Sequence, residues 1–302
     1  MNFGIKEAFI LCVFLVAGTL LSYTYISGVF MTAGYSTGST QGYDFSNPAN
    51  IIELPEILHE ISGLTDIDNH TIACVQDEEG IVFIYDLREN KIRGQFKFNK
   101  DGDYEGITRA GNSLYILRSD GKLYEVDNYK NKDFQTEEYD MEIPVKDNEG
   151  LAYDPQNNRL LIAGKSEPKS DYYKDKRLVF AFDLNTKSAV EKPIYEFSEE
   201  QIRQFVLENN SGLSKKDKEP GLKINPSGIS VHPVTRKLFV LSSKDNLIYI
   251  FNQDSQVEAV HHLNKKIFNQ PEGITFLDNG DMLISNEGGK GAPTLLLLPY
   301  KE

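Results

Sequence analysis

Tryptophan is absent from this chain of 302 residues, and cysteine occurs only twice, at Cys12 and Cys74. Cys12 falls inside a long apolar run and Cys74 inside a strand-like one. No disulfide framework is available, and Cys74 reads as a small buried hydrophobe. Histidine is scarce as well. His59, His70, His232, His261 and His262 show no metal-ligand spacing, which argues against zinc. His232, just before Pro233, reads as a turn residue, and His261-His262 reads as part of an outer strand facing solvent. The chain contains no Gly-x-Ser-x-Gly elbow, phosphate loop or His-Glu-x-x-His, so the familiar templates for nucleophilic, nucleotide and zinc-hydrolase chemistry are missing. Positive charge is in deficit too. Against 45 Asp and Glu stand 32 Lys and Arg, a net charge of −13, which argues against nucleic acid or an anionic membrane surface as partner.

Charge of either sign is also missing from residues 8–30, a run long enough to cross a hydrocarbon core as a helix. Lys6 precedes the run and the next basic residue is Arg88. The positive-inside bias therefore places residues 1–7 in the cytoplasm and the remainder on the extracytoplasmic, periplasmic side of a cell membrane. The alternative is a cleaved signal peptide, with Ala33-Gly34-Tyr35-Ser36 near its end. The weakly basic start and the length of the run favour the uncleaved anchor. Residues 31–47, mostly Gly, Ser, Thr and Tyr, read as a polar tether, and residues 48–302 as one folded domain.

A short phrase recurs five times in that domain: Ser62-Gly63-Leu64, Glu105-Gly106-Ile107, Glu149-Gly150-Leu151, Ser227-Gly228-Ile229 and Glu272-Gly273-Ile274. The glycines are 43, 44, 78 and 45 residues apart. A period near 45, filled with short apolar runs bounded by Gly, Asn and Asp, is that of a four-stranded β-propeller blade. The second unit shows the plan: Glu105-Gly106-Ile107-Thr108, a turn at Ala110-Gly111-Asn112, Leu114-Tyr115-Ile116-Leu117, a turn at Ser119-Asp120-Gly121, then Lys122-Leu123-Tyr124-Glu125-Val126. An Asp or Asn closing each third strand suits a side chain that bonds its own turn. The last unit lacks a fourth strand, and Asn50-Ile51-Ile52-Glu53-Leu54 is a spare one. Pairing it with residues 294–298 closes the ring and removes an open edge. The long gap holds two insertions, a charged loop at 167–176 and a helical segment at about 198–222, begun by Ser198 as cap. The expected fold is all-β, a five-bladed β-propeller rather than a six-bladed one, preceded by one transmembrane helix.

In such a fold the first strand of each blade lines the central channel and the second runs back beside it. The starts of the first strands and the ends of the second therefore share one mouth. This gathers Glu105, Glu149 and Glu272, with Ser62 and Ser227 in the other blades. From the second-strand ends come Asp77, Glu78, Asp120, Glu167, Asp245, Asn286 and Glu287. Carboxylates so gathered repel unless a cation or protons compensate. Calcium, which takes mixed oxygen ligands in irregular geometry, is the expected cofactor. Its candidate ligands are Glu105, Glu149, Glu272, Asn286 and Glu287. No pair of acids is singled out for catalysis, so the catalytic residues stay unassigned.

With these repeats laid out, the chain resembles the SdiA-regulated (YjiK-like) family over about residues 50–300. The likeness rests on Glu60-Ile61-Ser62-Gly63-Leu64, Asp103-Tyr104-Glu105-Gly106-Ile107, Asp147-Asn148-Glu149-Gly150-Leu151 and Pro271-Glu272-Gly273-Ile274-Thr275. The resemblance implies a five-bladed propeller distantly like NHL repeats, with a calcium site at the channel mouth supported best at Glu105, Glu149 and Glu272. It transfers no activity. Two classes of function follow. The favoured one is a membrane-anchored binding module presenting a propeller rim to a ligand or partner protein. The alternative is a calcium-dependent hydrolase of lactonase or esterase type, by analogy with gluconolactonase-like propellers.

Overall fold

Strands form where β-branched and aromatic residues run between turn residues, and here they run four to a repeat. A computed structural model describes residues 36–168, 170–209 and 224–301. Two short strands come first, β1 (Ser36–Thr37) and β2 (Asn50–Glu53). Blade I contains β3 (Ile61–Asp68), β4 (Thr71–Gln76), β5 (Ile81–Asp86) and β6 (Lys91–Lys97). Blade II contains β7 (Tyr104–Ala110), β8 (Ser113–Arg118), β9 (Lys122–Asp127) and β10 (Gln135–Asp140). Blade III contains β11 (Asn148–Asp154), β12 (Arg159–Gly164), β13 (Lys176–Asp183) and β14 (Ser188–Ser198), followed by helix α1 (Glu199–Asn209). Blade IV contains β15 (Gly228–Val231), β16 (Leu238–Ser242), β17 (Leu247–Phe251) and β18 (Val257–His262). Blade V contains β19 (Pro271–Phe276), β20 (Met282–Asn286) and β21 (Thr294–Leu298). Each blade is an antiparallel sheet, and the protein is an all-β, five-bladed propeller.

The fourth strand of blade V is β2, which pairs with β21 through Ile51↔Leu296 and Ile52↔Leu295. The spare strand thus closes the ring as the sequence predicts. The middle strands β16 and β17 are buried along their whole length, whereas β6 and β10 are mostly exposed. Inner strands are sandwiched between neighbouring blades and so read as unbroken apolar runs; outer strands carry the polar residues. Each neighbouring pair of blades shares an apolar cluster. Between blades III and IV, Phe197 stacks on Phe251 with ring centres 3.9 Å apart. These clusters are all drawn from residues 43–298. Residues 36–298 therefore carry a complete core and begin and end in strands of the blades. The predicted turn chemistry is present: Asp86 Oδ1 accepts the amides of Arg88 and Glu89, and Asp183 Oδ1 those of Asn185 and Thr186.

Two parts differ from expectation. Residues 36–47 do not form a polar tether on the domain surface. β1 adds a fifth strand to blade IV through Ser36↔His261 and Thr37↔Val260. Tyr43 is 2% and Phe45 8% exposed, and the Tyr43 hydroxyl donates to the Gly280 carbonyl at 2.5 Å. Two aromatics among small polar residues suffice to dock the segment. Gly42, at φ 91°, turns the chain where a Cβ would meet the Lys301 carbonyl at 2.3 Å. His261 accordingly does not face solvent: it is buried beneath this strap, with its ring 5.3 Å from Phe45.

The first half of the predicted helical insertion is α1, with Ser198 Oγ accepting the Gln201 amide at 3.3 Å and Ile202 and Val206 buried. The predicted cytoplasmic segment 1–7 and the predicted span 8–30 lie outside the described residues. Among the described residues no helix is long and apolar enough to cross a membrane.

Candidate functional site at the channel mouth

The channel is narrow because the blades meet through glycine. A Cβ at Gly63 would lie 2.7 Å from the Ile107 amide, and one at Gly106 would lie 2.6 Å from Leu151 Cβ. At Gly150 it would meet Ile229 at 3.0 Å, at Gly228 the Glu272 carbonyl at 2.4 Å, and at Gly273 Leu64 and the Ser62 carbonyl. Each repeat glycine presses on the next blade's first strand, and the fifth returns to the first. The repeated phrase is thus a packing device as well as a turn signal.

The glutamate before the glycine has its own role. In β7, β11 and β19 the ladder skips one residue against the second strand, between Tyr104 and Gly106, Asn148 and Gly150, and Pro271 and Gly273. The skipped residues are Glu105, Glu149 and Glu272. A bulge leaves its extra residue unpaired and re-aims the side chain. Here all three line one axial throat, with Ser227 from blade IV. Its cavity volume is about 10 Å³, room for a single water or ion.

The ladder registers also show which residue each second strand contributes just above the throat. One position past the partners Gln76, Arg118, Gly164 and Asn286 stand Asp77, Ser119, Lys165 and Glu287. Lys165 is the member that sequence reading missed. Its Nζ donates to Glu149 Oε1 at 2.7 Å. Burial works against its charge, but that bond and the fields of Glu149, Glu272 and Glu105 together raise its pKa. The sequence signal was available: Lys165 follows Gly164, the partner of Asn148, whereas attention to acids led to Glu167.

Burial pushes the Glu105 carboxyl up to about 9, helped by Glu149, Asp103 and Glu272. Burial likewise takes Glu149 to about 7, held down by Lys165 and pushed by Glu272. Glu272 is raised by burial, with the hydroxyls of Ser243 and Ser227 and the Lys165 charge working the other way. Glu287 rises to about 8 from burial and the charges of Glu272, Glu60 and Asp77. Asp77 rises to about 6, again mainly from burial, and its Oδ1 is buried with no hydrogen-bond partner among the described residues.

Other predicted members are committed elsewhere. Asn286 Nδ2 donates to the Ile267 carbonyl at 3.0 Å and to Thr294 Oγ1 at 2.9 Å, so its side chain braces β21. The Asn286 Oδ1 is buried and, among the described residues, has no hydrogen-bond partner, whereas Glu287 lies in the field of Glu272, Glu60 and Asp77. Asp120 takes a two-pronged bond from Arg118, Glu167 lies 3.7 Å from Arg177, and Asp245 accepts from Asn225. Among the described residues, no group of three or more His, Cys, Asp or Glu side chains is drawn together closely enough to hold a metal ion. With Lys165 against Glu149, three carboxylates share a throat without yet forming one ligand shell.

Fold and site define a class: a five-bladed β-propeller whose axial mouth is ringed by bulge-borne carboxylates around one lysine. The chain belongs to the SdiA-regulated family, whose sequence pattern matches residues 38–218. No curated protein sequence matches it. Among solved structures it is similar to the glutaminyl cyclase of Myxococcus xanthus, at 11% identity and a TM-score of 0.57, covering 84% of this chain and 95% of that one. A luciferin-regenerating enzyme shows 13% identity and a TM-score of 0.47, covering 83% and 95% of the two chains. The nidogen/laminin complex gives 11% identity and a TM-score of 0.48, covering 75% and 72%. At these identities the likeness is one of fold.

Proposed function

We propose that this protein is a membrane-anchored binding module on the extracytoplasmic side, a propeller stiffened by calcium at its channel mouth that offers its rim to a ligand or partner protein. The observation that carries this reading is the triple bulge. Three blades independently place a glutamate in one water-sized throat, where burial raises the pKa of each carboxyl. The donor chemistry, though not yet the spacing, suits a hard cation: carboxylate oxygens from Glu105, Glu149 and Glu272, with Glu287 and Asp77 Oδ1, unpartnered among the described residues, above them. When bound, the ion supplies the positive charge that lets these carboxyls ionise together. Lys165 supplies part of that charge already and competes with the ion for Glu149.

The throat also bears on the choice between binding and hydrolysis. A metal hydrolase needs an open position beside the ion with room for substrate. A cavity of about 10 Å³ has room for the ion alone, which favours a structural centre.

Calorimetric titration and thermal melts of residues 36–302 test the reading. Calcium should bind and raise the melting temperature with concentration. Glu149→Gln should weaken binding about tenfold, and Lys165→Met, which frees Glu149, should tighten it by a similar factor. A wild-type domain that neither binds calcium nor shifts its melting temperature would sink the proposal. Calcium-dependent turnover of lactones or aryl esters would replace it with the hydrolase.

A further inference from the structure

A larger cavity lies away from the mouth. It is a groove of about 540 Å³ between the outer half of blade I and the loop after β9 in blade II. β9 runs parallel to β7, away from the mouth, so the loop that follows it belongs to the opposite face. The groove is opened by a local irregularity. The β5–β6 ladder shifts register after Ile84↔Gly94, leaving Arg93 as the extra residue. Directly opposed residues share a sheet face, so Gly94 leaves Ile84 uncovered on that side. A Cβ built at Gly94 meets nothing within 4 Å. Ile67, Phe96 and Phe134 complete the apolar wall, all partly exposed, with the two phenyl rings 4.8 Å apart.

The polar edge of the groove has one sign. Lys130 and Lys132 line it and no carboxylate does, in a chain of net charge −13. Among the described residues neither lysine has a carboxylate partner, and Lys130 Nζ lies 5.7 Å from the centre of the Tyr129 ring, on the groove wall. Volume, apolar lining and charge of one sign at the edge are the features of a small-molecule site.

We infer that this groove binds a free amphipathic carboxylate, such as a medium-chain fatty acid, with its apolar body against Ile84, Phe96 and Phe134 and its carboxylate between Lys130 and Lys132. The site stands apart from the channel mouth, so its occupancy is independent of calcium.

Titration of residues 36–302 with decanoate below its micellar concentration tests the inference, with decanol as the neutral analogue and with chelator present or absent. Decanoate should bind saturably and decanol about tenfold more weakly, since the two exposed lysines together supply that factor. The double variant K130Q/K132Q should bind decanoate about as weakly as wild type binds decanol. At Gly94 a Cβ meets nothing within 4 Å, so Gly94→Leu should obstruct the groove and weaken decanoate binding at least about tenfold with little change in melting temperature. Equal affinity for decanol, unchanged binding by G94L, no binding of decanoate, or binding only to vesicles and never to the free acid would each overturn the inference. Should G94L melt early, the surface double variant decides alone.

Discussion

Glu105, Glu149 and Glu287 keep their protons well above the usual carboxylate range because the folded chain withdraws them from water and sets them near other acids. This gives the domain an unusual pH dependence. Unfolding would return these carboxyls to an ordinary value of 4.5, so above that pH the unfolded chain holds fewer protons than the folded one. The stabilisation is complete below 4.5 and is lost as pH rises through about 7, 8 and 9, the values for Glu149, Glu287 and Glu105. His232 acts at the other end. Its ring is buried and accepts the Val234 and Thr235 amides through Nδ1, and burial lowers its pKa to about 4. It costs stability only as pH falls below 6.5. With chelator present, the melting temperature should therefore fall steadily between pH 6.5 and 9. Saturating calcium should flatten or reverse that slope, because the ion binds the deprotonated carboxylates. A melting temperature that rises with pH in chelator would show that the mouth carboxyls are solvated and ionised.

At the scale of elements, the strap formed by β1, Tyr43 and Phe45 makes the clearest prediction. Tyr43 packs against Phe239, Phe276, Tyr300 and His232, with ring centres between 5.6 and 6.1 Å away. A chain beginning at residue 48 loses both aromatics and the pairing over β18. Removing a buried aromatic side chain costs about 3–5 kcal/mol. For a domain of this size the melting temperature should drop by roughly 6 °C or more against a chain beginning at residue 36. Equal melting temperatures would mean that the strap only rests on the surface.

The strap also shows what periodicity cannot report. The blades were legible because each repeat writes its own strands, its glycine and its closing Asp, and the missing fourth strand of blade V pointed to Asn50–Glu53. The strap belongs to no repeat. Its composition matches a linker, and only Tyr43 and Phe45 mark it, each without a periodic neighbour. The mouth was legible in the same partial way. Glu105, Glu149 and Glu272 occupy one repeat position and line one throat. Asn286 braces β21 through its Nδ2 while Glu287 lies among the mouth acids, a one-residue difference that a run of polar residues leaves open. Lys165 was invisible to a search for acids, although the ladder puts it in the same ring as Asp77 and Glu287.

For the whole molecule, charge and topology make a joint prediction. Residues 8–30 are uncharged, Lys6 precedes them, and the next basic residue is Arg88. If that run spans a membrane with its start inside, the propeller lies outside the cytoplasm. Calcium is plentiful there, so the site need not be tight. Extracellular calcium modules work at dissociation constants of about 10⁻⁴–10⁻³ M, far weaker than cytosolic sensors. The proposed shell, which competes with Lys165 for Glu149 and must deprotonate buried carboxyls, belongs at that weak end. Fractionation of cells making the full chain should leave the protein with the membrane, and protease added outside the inner membrane should reach the propeller. The purified domain should half-saturate in the same range of calcium. A mature protein found soluble and starting near residue 34 would mean a cleaved signal peptide in place of the anchor. A propeller protected from external protease would reverse the topology, and a dissociation constant below about 10⁻⁶ M would remove the link between weak binding and an extracytoplasmic site.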